Sequence, residues 1–218
     1  MLERISRRER YDLIIAWFAI SIAFSLAFTG GIGVWMGDPF HQTTLGDYLV
    51  YLVLSMVTVG IGFVLHELAH KFSAMHFGFW AEFRKDNLML LVAVALAALV
   101  GVVFAAPGAT MIYGSGVTRE QNGKISAAGP VTNLILCIPF AILLFVSAGL
   151  DTSDSLGSIL GMTGIIGLQV NAMIAAFNML PVSVLDGRKV LAWSPVIFAI
   201  LIIASFGILI ATFYPMIL

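Results

Sequence analysis

The sequence predicts an all-α polytopic membrane protein of about five to six transmembrane helices, with a re-entrant or extended segment near residues 101–118. Three observations carry this. Of 218 residues, 60% are hydrophobic and only 11% are charged, against about 25% charged in an ordinary soluble domain. The mean hydropathy is +1.02. Apolar runs recur at 13–36, 48–77, 88–106, 125–149, 156–181 and 195–218, each near or above the ~20 residues needed to cross a bilayer. One membrane-embedded domain, 1–218, is expected, without a soluble regulatory part. The net charge of −1 offers no basic field for nucleic acid. The single Cys137 excludes an intrachain disulfide.

The first run follows the basic stretch MLERISRRER. It is longer than the 7–15 residues of a secretory h-region and reads as a retained first span. Gly37-Asp38-Pro39 separates it from the second run, and the polar stretch AEFRKDN, 81–87, closes the second. The third begins as a span, LMLLVAVALAALV, but continues as GVVFAAPGATMIYGSG. Glycine, proline and β-branched residues there suit a strand, turn or bend. TREQNGK, 118–124, precedes the fourth run, and Asp151 and Asp154 divide the fourth from the fifth. Pro181 and Pro195 bracket a short polar break with Asp186, Arg188 and Lys189.

The basic residues orient the chain. They are Arg4, Arg7, Arg8, Arg10, Lys71, Arg84, Lys85, Arg119, Lys124, Arg188 and Lys189. If 88–118 enters the membrane and returns on the same side, all of them share the cytoplasmic face with the N-terminus. If that segment crosses once, Arg119, Lys124, Arg188 and Lys189 fall outside. The positive-inside rule favours re-entry. Non-helical backbone at membrane depth must be buried in protein or line a polar cavity, so this segment is expected beside the functional site. A strand edge at 101–113, with Pro107, could hold an extended peptide; a loop that fills space is the alternative.

Within the second run lies GFVLHELAH, 62–70. Ionisable side chains in a bilayer are costly and mark function. His66 and His70 are four residues apart and share one helix face. Two imidazoles so placed can bind one Zn²⁺. Glu67, beside His66, occupies the general-base position of an H-E-x-x-H site. Two buried histidines bonded to backbone carbonyls would be the simpler alternative.

Catalytic zinc typically takes three protein ligands. Among the acidic residues, Glu67 and Asp186 lie against apolar runs, whereas the others read as solvated loops or tails. On the re-entrant topology the chain returns to the inner side at Asp186, where His70 also lies, so Asp186 is the expected third ligand. It could instead cap a helix starting near Gly187. His76 is a rival ligand, because HELAHKFSAMH approaches a longer three-histidine pattern. That pattern needs a glycine where Ser73 stands. On an unbroken helix His76 points away from the His66/His70 face. His41 falls in an outer loop and is expected to be solvated.

Three motifs together resemble the site-2 proteases, zinc metalloproteases that cleave proteins within the membrane. They are HELAH (66–70) followed by Gly78, AAGPVTN (127–133) and FNMLPVSVLDG (177–187). The resemblance implies that His66, His70 and Asp186 bind one Zn²⁺ and that Glu67 is catalytic. Gly129, Pro130 and Asn133 match the family's G-P-x-x-N element. Asn178 matches an asparagine near the family's site, and its amide suits stabilisation of an oxyanion. Arg188 stands where the family often has a second glycine. The implied protein is a prokaryotic plasma-membrane endopeptidase with transmembrane substrates. The alternative is a non-hydrolytic metal-binding protein or transporter, which has no need of a carboxylate such as Glu67 beside the metal.

Overall fold

The computed structural model describes residues 4–31, 44–101, 103, 108–150 and 155–213. Among these, five helices are long and apolar enough to cross a membrane. They are α1 (Arg7–Phe28), α2 (Leu45–His76), α4 (Arg119–Ala148), α5 (Ser155–Asn178) and α7 (Pro195–Phe213). The expected class holds. Two shorter helices, α3 (Asn87–Val100) and α6 (Asp186–Trp193), and two strands, β1 (Trp80–Lys85) and β2 (Gly108–Tyr113), complete the described elements.

The helix ends follow from local sequence. Ser6 caps α1, its side chain accepting from the Glu9 N–H. Asp86 caps α3 through Leu88 and Met89. Thr118 and Gln121 form a reciprocal capping box at the start of α4. After α2, the Gly78 N–H bonds to the Met75 carbonyl and the Phe79 N–H to the Ala74 carbonyl, the paired bonds of a Schellman motif. Phe79 packs against the cluster of Ala74, Ala81 and Ile125. The helix therefore runs unbroken through Ser73, as the sequence suggests.

The third apolar run departs from a full span. Helix α3 has 14 residues, a rise of about 21 Å, short of the ~30 Å hydrocarbon core. It ends at Gly101 in the left-handed conformation. β2 then pairs with β1. Gly108 lies against Arg84 and Lys85, and Gly114 against Phe79, so the strands are antiparallel. The excursion from β1 thus returns to β1, the re-entrant path that the charges favour. Pro107, part of the expected edge, lies outside the described residues. β1 itself corrects the reading of 81–87 as a polar break: Ala81, Glu82 and Phe83 are buried.

The chain divides into two compact units. Residues 1–60 with 82–111 form the first, in which the Trp17 indole donates to the Met56 carbonyl at 2.8 Å. Residues 61–81 with 112–218 form the second. One core cluster of the second unit joins Ala127, Met179, Val190 and Leu201. Another joins Cys137, Phe140, Leu168 and Ala172. These two clusters lock α4, α5, α6 and α7 together around the polar residues described next.

Candidate metal centre

His66 and His70 project from one face of α2 a single turn apart, as their spacing requires. Their Nε2 atoms are 3.0 Å apart. Asp186 opens α6, and its Oδ2 lies 3.0 Å from His70 Nε2 and 3.6 Å from His66 Nε2. All three residues are buried. Asp186 is not a cap. The N-cap of α6 is Leu185, without a side-chain cap bond, and the carboxylate faces the imidazoles. Gly187 lets α6 start there, because a methyl in its place would come within 2.8 Å of the Leu180 carbonyl oxygen.

The outer ring nitrogens decide what the inner ones can do. His66 Nδ1 is 2.5 Å from the Asn133 side-chain oxygen, and His70 Nδ1 is 2.8 Å from the Ile125 carbonyl. Both oxygens are acceptors, so each Nδ1 donates its hydrogen. In the neutral imidazoles both Nε2 atoms then present lone pairs to one point, which a carboxylate oxygen also faces. Three electron-rich atoms converging in a buried space call for a cation. Their separations of 3.0, 3.0 and 3.6 Å bracket the edge of about 3.3 Å of a tetrahedron with ligands at 2.0–2.1 Å. The donor set and its spacing fit zinc.

Gly129 of α4 keeps this point open. A Cβ there would collide with His70 Nε2 and come within 2.6 Å of His66 Nε2. Pro130 follows it, and one turn further on the Asn133 side chain meets His66 Nδ1.

Known proteins carry the same chemistry in their names. Over 197 residues, 90% of each chain, the protein is 38% identical to "Putative zinc metalloprotease MJ0611" of Methanocaldococcus jannaschii. The chain belongs to this zinc-metalloprotease family. It is also 29% identical over 161 residues to "Putative zinc metalloprotease YwhC" of Bacillus subtilis, covering 70% of this chain and 71% of that one. "Putative zinc metalloprotease Rip3" of Mycobacterium tuberculosis is 27% identical over 180 residues, 80% of this chain but 40% of the longer relative. No family model and no solved structure matches the chain.

The other sequence-selected residues fall as follows. Glu67 is buried at 8% exposure, next to His66 on α2. Asn178 ends α5, half-buried, with its amide donating to the Ile174 carbonyl at 3.0 Å. His76 is exposed at the last position of α2 and is not a member of the cluster. His41 lies outside the described residues.

The fold also recruits residues that the motifs do not flag. Asn171 of α5, fully buried, accepts from the Asn133 amide at 2.9 Å. Lys189 of α6 holds its ammonium 3.7 Å from the other Asp186 oxygen, Oδ1. An asparagine inside an apolar helix, four residues after a glycine, is the one sequence signal that could have pointed to Asn171. Lys189 stands three residues after Asp186, where a helix brings the two side chains together.

Proposed function

We propose that the protein is an intramembrane zinc endopeptidase of the site-2 protease type, hydrolysing peptide bonds of transmembrane protein substrates. The observation that carries this reading is the convergence of Asp186 Oδ2 on His66 Nε2 and His70 Nε2, which stand on a helix long and apolar enough to cross a membrane, with Glu67 adjacent. Membership of a zinc-metalloprotease family supports it.

His66, His70 and Asp186 would hold one Zn²⁺. When bound, zinc acidifies a water molecule and polarises a carbonyl. Glu67 accepts the proton of the attacking water and delivers it to the leaving amine. A carboxylate can do both, because it accepts as an anion and donates once protonated. Asn178 has two amide hydrogens, spends one on Ile174, and is proposed to offer the other to the oxyanion that develops on the peptide carbonyl. With zinc, the two carboxylates of Glu67 and Asp186 and two neutral imidazoles sum to zero charge, which suits a low-dielectric interior. A helical substrate hides its carbonyls in its own hydrogen bonds, so it must be locally unwound before it reacts. A strand edge of the 101–113 segment, where β2 lies, is proposed to receive it.

Glu67→Gln should keep zinc and abolish cleavage of a membrane substrate, since an amide cannot take the proton. Cleavage by this variant at the wild-type rate would overturn the reading. A substrate trapped by the inactive variant would also separate a protease from a non-hydrolytic metal carrier.

The N-terminus is proposed to be cytoplasmic, because that places all the Lys and Arg residues on one side. A cysteine at Gln121, in a Cys137→Ser background, should then react with an impermeant thiol reagent only after cell lysis. Labelling in intact cells would reverse the orientation.

A further inference from the structure

Asn133 and Asn171 are both fully buried, in helices α4 and α5. The side-chain amide of Asn133 makes three contacts. Its nitrogen donates to the Gly62 carbonyl at 3.0 Å and to Asn171 Oδ1 at 2.9 Å. Its oxygen faces His66 Nδ1 at 2.5 Å. Asn171 in turn donates from Nδ2 to the Gly167 carbonyl, one turn back on its own helix, at 2.9 Å. Gly62 leaves room for this, since a methyl there would come within 2.9 Å of Asn171 Oδ1.

An amide has nearly the same shape after a half-turn, so only its partners decide which end faces which neighbour. If the Asn133 amide turned over, its oxygen would meet two acceptors, the Gly62 carbonyl and Asn171 Oδ1. Two buried hydrogen bonds would be lost. Its nitrogen would meet His66 Nδ1 and require that nitrogen to accept. The ring hydrogen would then sit on Nε2, where it blocks the point shared with His70 and Asp186. Asn171 is itself fixed, because its nitrogen is committed to Gly167. The bonds therefore run in one sense, from His66 on α2 through Asn133 on α4 to Asn171 and the backbone of α5.

We propose that Asn171 is a positioning residue for the metal site. It fixes the amide orientation of Asn133, and through it the tautomer and ring direction of His66. The inference rests on the zinc site proposed above. Outer partners of metal-bound histidines typically contribute about 10- to 100-fold in metal affinity, and Asn171 acts one bond further out through the same route.

The test uses the purified full-length protein in detergent. Zinc affinity is measured by competition with a chromogenic chelator, and ligand geometry by the visible spectrum of the cobalt-substituted protein. Asn171→Ala should weaken zinc binding by about 10-fold or more and change the cobalt spectrum. Asn171→Asp keeps the acceptor for Asn133 but loses the donor to Gly167, so it should recover both readouts in part. In an Asn133→Asp background the carboxylate accepts from His66 at either end and has no orientation to fix. There, Asn171→Ala should leave affinity unchanged or raise it, because it removes an oxygen that faces the carboxylate.

A loss by the same factor in both backgrounds, or no loss in the wild-type background, overturns the proposal while leaving the zinc site standing. A wild-type protein that binds neither zinc nor cobalt instead removes the metal site itself. If Asn171→Ala does not fold, nitrogen NMR of the His66 ring in metal-free wild-type protein gives a second readout. The proposal requires the hydrogen on Nδ1, and finding it on Nε2 overturns it.

Discussion

Each of the two units buries several carboxylates or their partners, and they solve the same electrostatic problem in opposite ways. In the first, Glu9, Asp12 and Glu82 are all buried. Arg84 pairs with Glu82 and lies 3.8 Å from Asp12, while Glu9 accepts the backbone N–H of Phe83 at 3.0 Å. The negative charge there meets a cation and a donor supplied by the chain. In the second unit Asp186 Oδ2 faces two imidazole nitrogens whose hydrogens are turned outward. Lys189 approaches the opposite oxygen, from a side chain 39% exposed, and leaves Oδ2 to the cluster. The first arrangement pairs two of its carboxylates with Arg84 and gives the third a backbone N–H. The second gathers two imidazole nitrogens and a carboxylate oxygen that could hold a metal ion, and that is the difference between the two clusters.

The sharpest way to break this comparison is to remove the chain's own cation from the first unit. Arg84→Met would strand Glu82 and Asp12. Breaking a fully buried pair costs about 3–5 kcal/mol. The Arg84 side chain is 23% exposed, so a loss of about 2–3 kcal/mol is expected once solvent screening is allowed for. Denaturant or thermal unfolding in detergent should register it, with zinc content per molecule unchanged. A variant that loses its zinc but not its stability would contradict the division of roles.

A smaller effect is expected at Lys189. Its ammonium is half-exposed and 3.7 Å from Oδ1, and such surface-facing pairs contribute about 0–1 kcal/mol. Lys189→Met removes a positive charge beside a site for a dication, so it should strengthen zinc binding by only a few-fold, within the ~10-fold that 1.4 kcal/mol represents. Chelator competition would measure it. A loss comparable to that of a ligand variant would mean that Lys189 organises Asp186 rather than trimming its charge.

Much of the site is readable in the chain, for identifiable reasons. The four-residue spacing of His66 and His70 has only one geometry on an unbroken helix, and α2 supplies that helix. Asp186 is legible because charge placement and a short polar break bring the chain back to the depth of His70. The re-entrant path is legible because the third apolar run degenerates into glycine, proline and β-branched residues. Other features leave no local trace. Asn171 is an uncharged residue whose meaning comes from two other helices, 38 and more positions away in sequence. β1 is hidden in a stretch of mixed polarity, where the buried Glu82 is paired with Arg84. Glu9 and Asp12 read as parts of a solvated basic tail, and their burial depends on a strand more than 70 residues later.

The central claim is that the second unit's cluster is built for a metal ion held by His66, His70 and Asp186. Elemental analysis of the purified protein tests it most directly, with wild type, His66→Ala, His70→Ala and Asp186→Ala measured side by side against a chelator-washed blank. The account predicts one equivalent of zinc in wild type and its loss in each of the three variants. Full zinc in Asp186→Ala would contradict it, removing that carboxylate as a ligand and returning the third position to a residue such as His76.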